Sequence, residues 1–175
     1  IIDPTLRGLK ELNTSFKGFL YAGLMIVNEE PFLIEYNVRM GDPECQTILP
    51  RLKTDFMEII EACVNKKLKD IRINWSDEKS LCIVLCSKGY PENYEKNLEI
   101  KNLKNIIFEK NEFIFHAGTI IKDQKIISSG GRVLNIVVRS NQFKNSREKV
   151  IELINKINWE DGFYRKDIGY KVINE

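Results

Sequence analysis

The sequence predicts an α+β fold in two parts, on three observations. An apolar segment, a turn and an alternating segment over residues 18–40 read as a β-hairpin. The stretch "NKKLKDIRINWSDEK" (65–79) is charged and loses periodicity, which marks a junction between domains. After it, a series of strand-like runs and one amphipathic helix read as a small α+β unit of their own. The expected division is residues 1–66, a junction over 67–79, and residues 80–175.

The elements follow in order. Asp3-Pro4 reads as an N-cap with proline at the first helical position, and Leu6, Leu9 and Leu12 share one side of a helix ending near Asn13. "GFLYAGLMIV" (18–27) is apolar on both faces, as expected of a central strand covered on two sides. "NEEP" (28–31) is a turn into "FLIEYNVRM" (32–40). There Phe32, Ile34, Tyr36, Val38 and Met40 line one face, while Leu33, Glu35, Asn37 and Arg39 line the other. Asp42 then caps a short helix with Pro43 at its first position, and a second helix begins near Thr54-Asp55 with Phe56, Ile59, Ile60 and Cys63 on its apolar side.

Beyond the junction, "SLCIVLCS" (80–87), "EFIFHAGTII" (112–121), "KIIS" (125–128) and "RVLNIVVR" (132–139) read as strands separated by turn sequence. A helix near 141–157 should bury Phe143, Val150, Ile154 and Ile157. The tail "FYRKDIGYKVI" (163–173) reads as a loop and a last strand. No internal repeat is present.

Composition narrows the class. With 43% hydrophobic and 30% charged residues and no low-complexity segment, the chain is that of a globular protein able to bury a core. A net charge of +2, with both signs interleaved, gives no footprint for nucleic acid or a membrane surface. No apolar run approaches the roughly 20 residues that span a bilayer, and no secretion signal is visible. The four cysteines (45, 63, 82 and 86) are too few and too scattered to staple the fold. Cys82 and Cys86 fall on one face of a strand, so reduced thiols in a cytoplasmic protein are expected. The chain opens on Ile1 and enters helical sequence at once, as after removal of an upstream part or in a fragment of a longer protein.

The stretch "LIEYNVRMGDPE" (33–44) carries the chemistry. Side chains at every second strand position project from one face about 7 Å apart. Glu35 and Asn37 both offer hard oxygens, which suit Mg²⁺, an ion that completes its octahedron with water and phosphate oxygens. Arg39 beside them offers a planar fork of donors for phosphate. On alternation alone, a solvated strand face with a Glu–Arg pair is the more ordinary reading.

The surrounding residues shift that balance. A strand reading E-x-N-x-R after an apolar hairpin partner resembles the metal-binding strand of the ATP-grasp superfamily. Extended to "EYNVRMGDPECQTILPRLKTD" (35–55), it resembles the phosphoribosylamine–glycine ligase family within it. "FKGFLYAGLM" (16–25), "SKGYP" (87–91), "FHAGT" (115–119), "SGGRVL" (129–134) and "FYRKDIGY" (163–170) continue the likeness in order and spacing over essentially the whole chain. Met40 and Cys45 stand where phenylalanine and threonine are expected, and Asn135 follows Arg-Val-Leu; none of these removes a group the chemistry needs.

The resemblance implies the end of an ATP-grasp domain, an antiparallel sheet with helices, followed by a small α+β C-terminal domain. It implies an ATP-dependent, ADP-forming carbon–nitrogen ligase of purine biosynthesis that joins glycine to 5-phosphoribosylamine through a glycyl phosphate. Glu35 and Asn37 then match the Mg²⁺ (or Mn²⁺) ligands bridging the phosphates of ATP, the co-substrate. Arg39 is expected on phosphates or the acyl phosphate, with Asp42 orienting Arg39 or the metal's waters. Gly130, Gly131 and Arg132 offer an anion site for substrate, set against a plain hairpin turn bearing a strand arginine.

Lys88-Gly89-Tyr90-Pro91 reads first as turn chemistry, His116 as a satisfied, partly buried histidine, and Arg165 with Asp167 as an ion pair fixing the tail. The Gly-rich loop and adenine pocket of an ATP-grasp enzyme are not visible, nor is the family's amino-terminal domain. The chain therefore reads as the carboxy-terminal part of the enzyme, needing the missing N-terminal part as partner and turning over nothing alone. The rival readings are another ATP-grasp carboxylate–amine ligase or a carboxylase and, from a different class, a non-catalytic binding module.

Overall fold

The computed structural model describes residues 1–173, and these form two compact units. Every paired strand is antiparallel, so the fold is α+β as expected.

The first unit comprises Ile1–Cys45 and Leu52–Trp75. Helix α1 spans Ile2–Glu11, two residues earlier than an Asp3 cap with Pro4 at the first helical position would place it. Ile1 sits at the cap without a side-chain bond, while the amide and hydroxyl of Thr5 both donate to its carbonyl at 3.3 and 3.0 Å. Asp3 and Pro4 thus fall inside the first turn, where a missing N–H costs nothing.

Strands β1 (Tyr21–Val27) and β2 (Glu30–Asn37) form a hairpin whose turn residues, Asn28 and Glu29, both have positive φ (50° and 67°). Such a turn matches the right-handed strand twist. The expectation of a doubly covered central strand is not met. The sheet has two strands, and its apolar tip is open, with Ile26 and Ile34 60% and 64% exposed. No third strand pairs with the hairpin among the described residues; its base is half-buried, and there α1 reaches it, with Thr5 Oγ1 2.5 Å from the Tyr36 hydroxyl. A bulge between Gly23 and Leu24 leaves Ile34 as the extra residue and interrupts the alternation. β2 also ends at Asn37, opposite Tyr21, so Arg39 lies beyond the ladder rather than in line with Glu35.

Helix α2 (Glu44–Ile48) starts one residue after Pro43, which follows a cis peptide bond from Asp42. Helix α3 (Phe56–Val64) is capped as expected: Asp55 Oδ1 accepts from the Met57 amide at 2.7 Å. Phe19 stacks on Phe56 with ring centroids 5.8 Å apart, and Leu52 bridges to Trp75.

The second unit comprises Gln46–Arg51 and the chain from Ser76 onward. Its sheet runs β4 (Glu112–His116), β7 (Arg132–Ser140), β3 (Lys79–Ser87), β8 (Gly162–Phe163). Helix α4 (Phe143–Ile157) lays Val150, Leu153, Ile154 and Ile157 against Leu81, Ile83, Leu85, Leu134, Ile136 and Val138. The 3–4 residue spacing on α4 and the two-residue spacing on the strands put these side chains on facing surfaces. Each buried aliphatic contributes about 2 kcal/mol, making this the main stabilising cluster. Cys82 is buried on the opposite sheet face, where it pairs across to Val137; Cys86 is buried beside a bulge. Neither is in a disulfide.

The run 112–121 is not one strand. It breaks at Ala117-Gly118, whose amides donate to the carbonyls of Val133 and Arg132. The continuation, β5 (Thr119–Lys122), pairs instead with β6 (Lys125–Ser128) in a separate ribbon. A side chain on Gly118 would lie 2.7 Å from the Gly130 Cα, so two backbones cross there and only glycine fits. The tail contributes only the two-residue β8 and then turns. Arg147 holds it, donating to the carbonyls of Ile168 (2.9 Å) and Lys166 (2.5 Å).

Residues 46–51 are built into this unit by Arg139. Its guanidinium donates to the Pro50 carbonyl and, at 2.9 Å, to Asn111 Oδ1, and lies over the Phe113 ring at 5.4 Å. Arg51 in turn donates to the Ser76 carbonyl at 3.0 Å and accepts from the Ser76 amide at 2.7 Å.

Candidate functional site

Four side-chain positions share one face at the base of the hairpin. Tyr21 pairs with Asn37 and Gly23 with Glu35, so both strands contribute alternately to the same surface. The Asn37 amide nitrogen donates to Glu35 Oε1 at 2.9 Å. With that nitrogen engaged, the amide keeps its carbonyl oxygen and Glu35 its second carboxylate oxygen as acceptors. Gly23 leaves the room Glu35 needs, since a side chain there would meet Glu35 Cγ at 3.1 Å.

Tyr21 extends this surface to α2, its hydroxyl donating to Glu44 Oε1 at 3.3 Å. The adjacent Glu44 carboxylate, then burial, then Glu35 push the Tyr21 phenol above its ordinary pKa, with Arg39 acting the other way. Gly41 permits the arrangement, because a Cβ there would lie 2.2 Å from Glu44 Oε2. The turn closes through a bond from the Cys45 amide to the Gly41 carbonyl at 2.9 Å. Burial, with Asp42 nearby, raises the Cys45 thiol.

The residues named from sequence are therefore placed as follows. Glu35 and Asn37 are brought together. Arg39 is exposed past the strand end, donating to the Met40 carbonyl at 3.1 Å, and Asp42 lies exposed in the next turn. Tyr21 and Glu44 went unassigned. Their signals were a tyrosine two residues before the glycine facing Glu35, and an acid closing the Gly-Asp-Pro turn, but their meeting depends on cross-strand register.

The donor set suits a hard divalent ion. Glu35 and Asn37 present a carboxylate and an amide oxygen without competing thiol or imidazole. Among the described residues no three histidine, cysteine or acidic side chains gather as a full metal cage. Two protein oxygens are what Mg²⁺ commonly takes when phosphates and water complete its shell.

Gly130, Gly131 and Arg132 lie in the second unit and are not the hairpin turn weighed from sequence, since β6 and β7 belong to different sheets. They form a crossing point of the other sequence motifs. Ser87 Oγ donates to the Gly130 carbonyl at 2.9 Å, and the Ser87 amide to that of Gly131 at 2.8 Å. The Tyr90 ring covers Gly131 so closely that a Cβ would meet it at 2.1 Å. Gly118 packs on Gly130, and Cys86 pairs with both Arg132 and Phe163. "SKGYP", "FHAGT", "SGGR" and the start of "FYRKD", dispersed over 87–167, thus meet at one end of one sheet.

Lys88 lines an open groove of about 650 Å³ with Tyr94 and Asp161, and Gly89 (φ +91°) makes the tight turn. His116 is exposed, not partly buried as expected, because β4 ends there; its Nδ1 lies 2.8 Å from Thr119 Oγ1. Arg165 and Asp167 form the expected pair, with Nη2 2.6 Å from Oδ2.

Two family models match the chain. The phosphoribosylglycinamide synthetase C domain matches residues 80–171, and the same family's ATP-grasp (A) domain matches residues 1–45. A phosphoribosylamine–glycine ligase of Caldanaerobacter subterraneus is 48% identical over 169 residues, covering 97% of this chain and 40% of that protein. The enzyme of that name from Brucella melitensis is 41% identical, covering 99% and 40%. The crystal structure of phosphoribosylamine–glycine ligase from Thermotoga maritima superimposes with a TM-score of 0.81 at 33% identity, covering 95% of this chain and 41% of that one. The chain spans about 40% of the length of these curated relatives.

Proposed function

The chain belongs to the phosphoribosylglycinamide synthetase family, and from that premise we propose that it supplies one wall of an ATP-dependent, ADP-forming ligase joining glycine to 5-phosphoribosylamine in purine biosynthesis. Residues 1–66 are the end of the ATP-grasp domain, 67–79 a junction, and 80–175 the C-terminal domain. The reading is supported by the family matches to 1–45 and 80–171 and by relatives named as this ligase. The further length of those relatives is the partner region that completes the site.

The observation that carries the reading is the hydrogen-bonded Glu35–Asn37 pair facing Gly23. In the reaction the glycine carboxylate attacks the terminal phosphorus of ATP, the bond to ADP breaks, and glycyl phosphate forms. The amine of phosphoribosylamine then attacks the acyl carbon, losing a proton, and phosphate leaves as the amide forms. Glu35 and Asn37 would hold Mg²⁺ or Mn²⁺, which would neutralise charge on the ATP phosphates when bound. Arg39 would pair with the ATP phosphates or the acyl phosphate, and Asp42 would orient Arg39 or ion-bound water. Gly130, Gly131 and Arg132 offer backbone and guanidinium donors to an anionic substrate group. No helix among the described residues is long and apolar enough to cross a membrane. A cytoplasmic setting is supported by four cysteines outside any disulfide.

The test is a chimera in which this chain replaces the segment it matches in the Caldanaerobacter relative. ADP release that requires both glycine and phosphoribosylamine is expected. Release driven by bicarbonate would replace the reading with a carboxylase, and a folded chimera without substrate-dependent release would overturn it.

A further inference from the structure

Resting on the metal-edge reading of Glu35 and Asn37, we propose that Glu44 is a positioning residue for the divalent ion, acting through its charge and through Tyr21 rather than as a ligand. Three features place its carboxylate there. Tyr21 stands opposite Asn37 on the ligand face, and its hydroxyl donates to Glu44 Oε1 at 3.3 Å. Gly41 vacates the volume the carboxylate occupies, with Oε2 and Cδ at 2.2 and 2.8 Å from where a Cβ would be. The bond from the Cys45 amide to the Gly41 carbonyl, at 2.9 Å, holds the turn that carries Glu44 back toward the strand.

The consequence is electrostatic and geometric. Glu44 adds a half-buried carboxylate beside the strand end that carries the exposed Glu35 and the half-buried Asn37. A fixed negative charge near an ion raises its affinity without occupying its shell, and groups behind the ligands commonly alter metal affinity 10–100-fold. The tether also anchors the hydroxyl of Tyr21, the register partner of Asn37 on the same strand face, to Glu44. Glu44 and Tyr21 thereby act on the two ligands from the α2 side.

The experiment titrates the 175-residue chain with Mn²⁺ and reads paramagnetic broadening of backbone amide signals from residues 21–45. Wild type should broaden around Glu35 and Asn37, and Glu35→Gln should abolish the effect. Glu44→Gln keeps an acceptor for Tyr21 but removes the charge, and should weaken Mn²⁺ about tenfold with an unchanged melting temperature. Tyr21→Phe should weaken it in the same direction, whereas Glu29→Gln, in the hairpin turn, should bind as wild type does. Wild-type affinity in Glu44→Gln, with Glu35→Gln silent, overturns the role of Glu44 alone. Absence of broadening near Asn37 in wild type overturns the metal reading itself.

Discussion

The amide nitrogen of Asn37 donates to the carboxylate of Glu35 at 2.9 Å across the two-residue repeat of β2. The pair is preorganised: each residue fixes the other while each keeps an oxygen for an ion. Replacing Asn37 by leucine leaves the strand but removes both functions. ADP release by the chimera should fall at least about a hundredfold, with the melting temperature little changed. Retained turnover in Asn37→Leu would remove this pair from the chemistry.

Gly23 faces that pair, and a methyl group there would press on Glu35 Cγ at 3.1 Å. Gly23→Ala should displace Glu35 and weaken Mn²⁺ several-fold, measured by the same broadening titration. The hairpin itself should persist, because alanine is sterically allowed at this strand position and the cross-strand hydrogen bonds are backbone ones.

Tyr90 lies over Gly131 in the second unit, leaving no room for a side chain. Gly131→Ala should cost about 1–3 kcal/mol of unfolding free energy by urea denaturation. Adding Tyr90→Ala should recover part of that loss, since the two changes share one contact. Simple additivity of the two would show that the strain lies elsewhere.

Arg139 binds Pro50, Asn111 and the Phe113 ring at once. Arg139→Met keeps most of the apolar contact and strands the acceptors, so a loss of about 2–3 kcal/mol is expected. Hydrogen exchange should quicken specifically in residues 46–51, the segment this guanidinium holds.

Asn135 sits mid-strand in β7, 1% exposed, and neither atom of its side-chain amide has a hydrogen-bond partner among the described residues. Burying an unsatisfied amide is unfavourable, and a β-branched residue suits a central strand. Asn135→Val should therefore stabilise the chain by about 1–2 kcal/mol in denaturant titration. Destabilisation would mean the amide is satisfied in solution.

The Arg165 guanidinium holds the Asp167 carboxyl below the usual aspartate range, through its hydrogen bonds first and its charge after them. A depressed folded-state pKa contributes stability above the unfolded value that is lost as pH falls through the folded one. Both side chains are exposed, so the effect on stability is small. An NMR pH titration should place Asp167 low, and Arg165→Gln should return it to the ordinary range.

The local chemistry of this protein was legible in its residues. The alternation of Glu35 and Asn37, the Asp55 cap, the strand runs around Leu81 and Leu134 and the amphipathic spacing of α4 each follow from short-range rules. A strand side chain's face depends only on parity, and a helix face only on spacing. Tertiary structure decided whatever depends on register and on which backbone meets which. The pairing of Tyr21 with Asn37 linked Glu44 to the strand end that carries Glu35 and Asn37, a link that no spacing along the chain encodes. The crossing of Gly118 over Gly130 split one apparent strand into two sheets. The same end of the sheet gathered "SKGYP", "FHAGT" and "SGGR", because antiparallel pairing sets both Cys86 and His116 against the start of β7, at Arg132 and Leu134. Arg139 drew residues 46–51 into the second unit for a similar reason: its buried guanidinium had to find acceptors, and the nearest were on a distant loop.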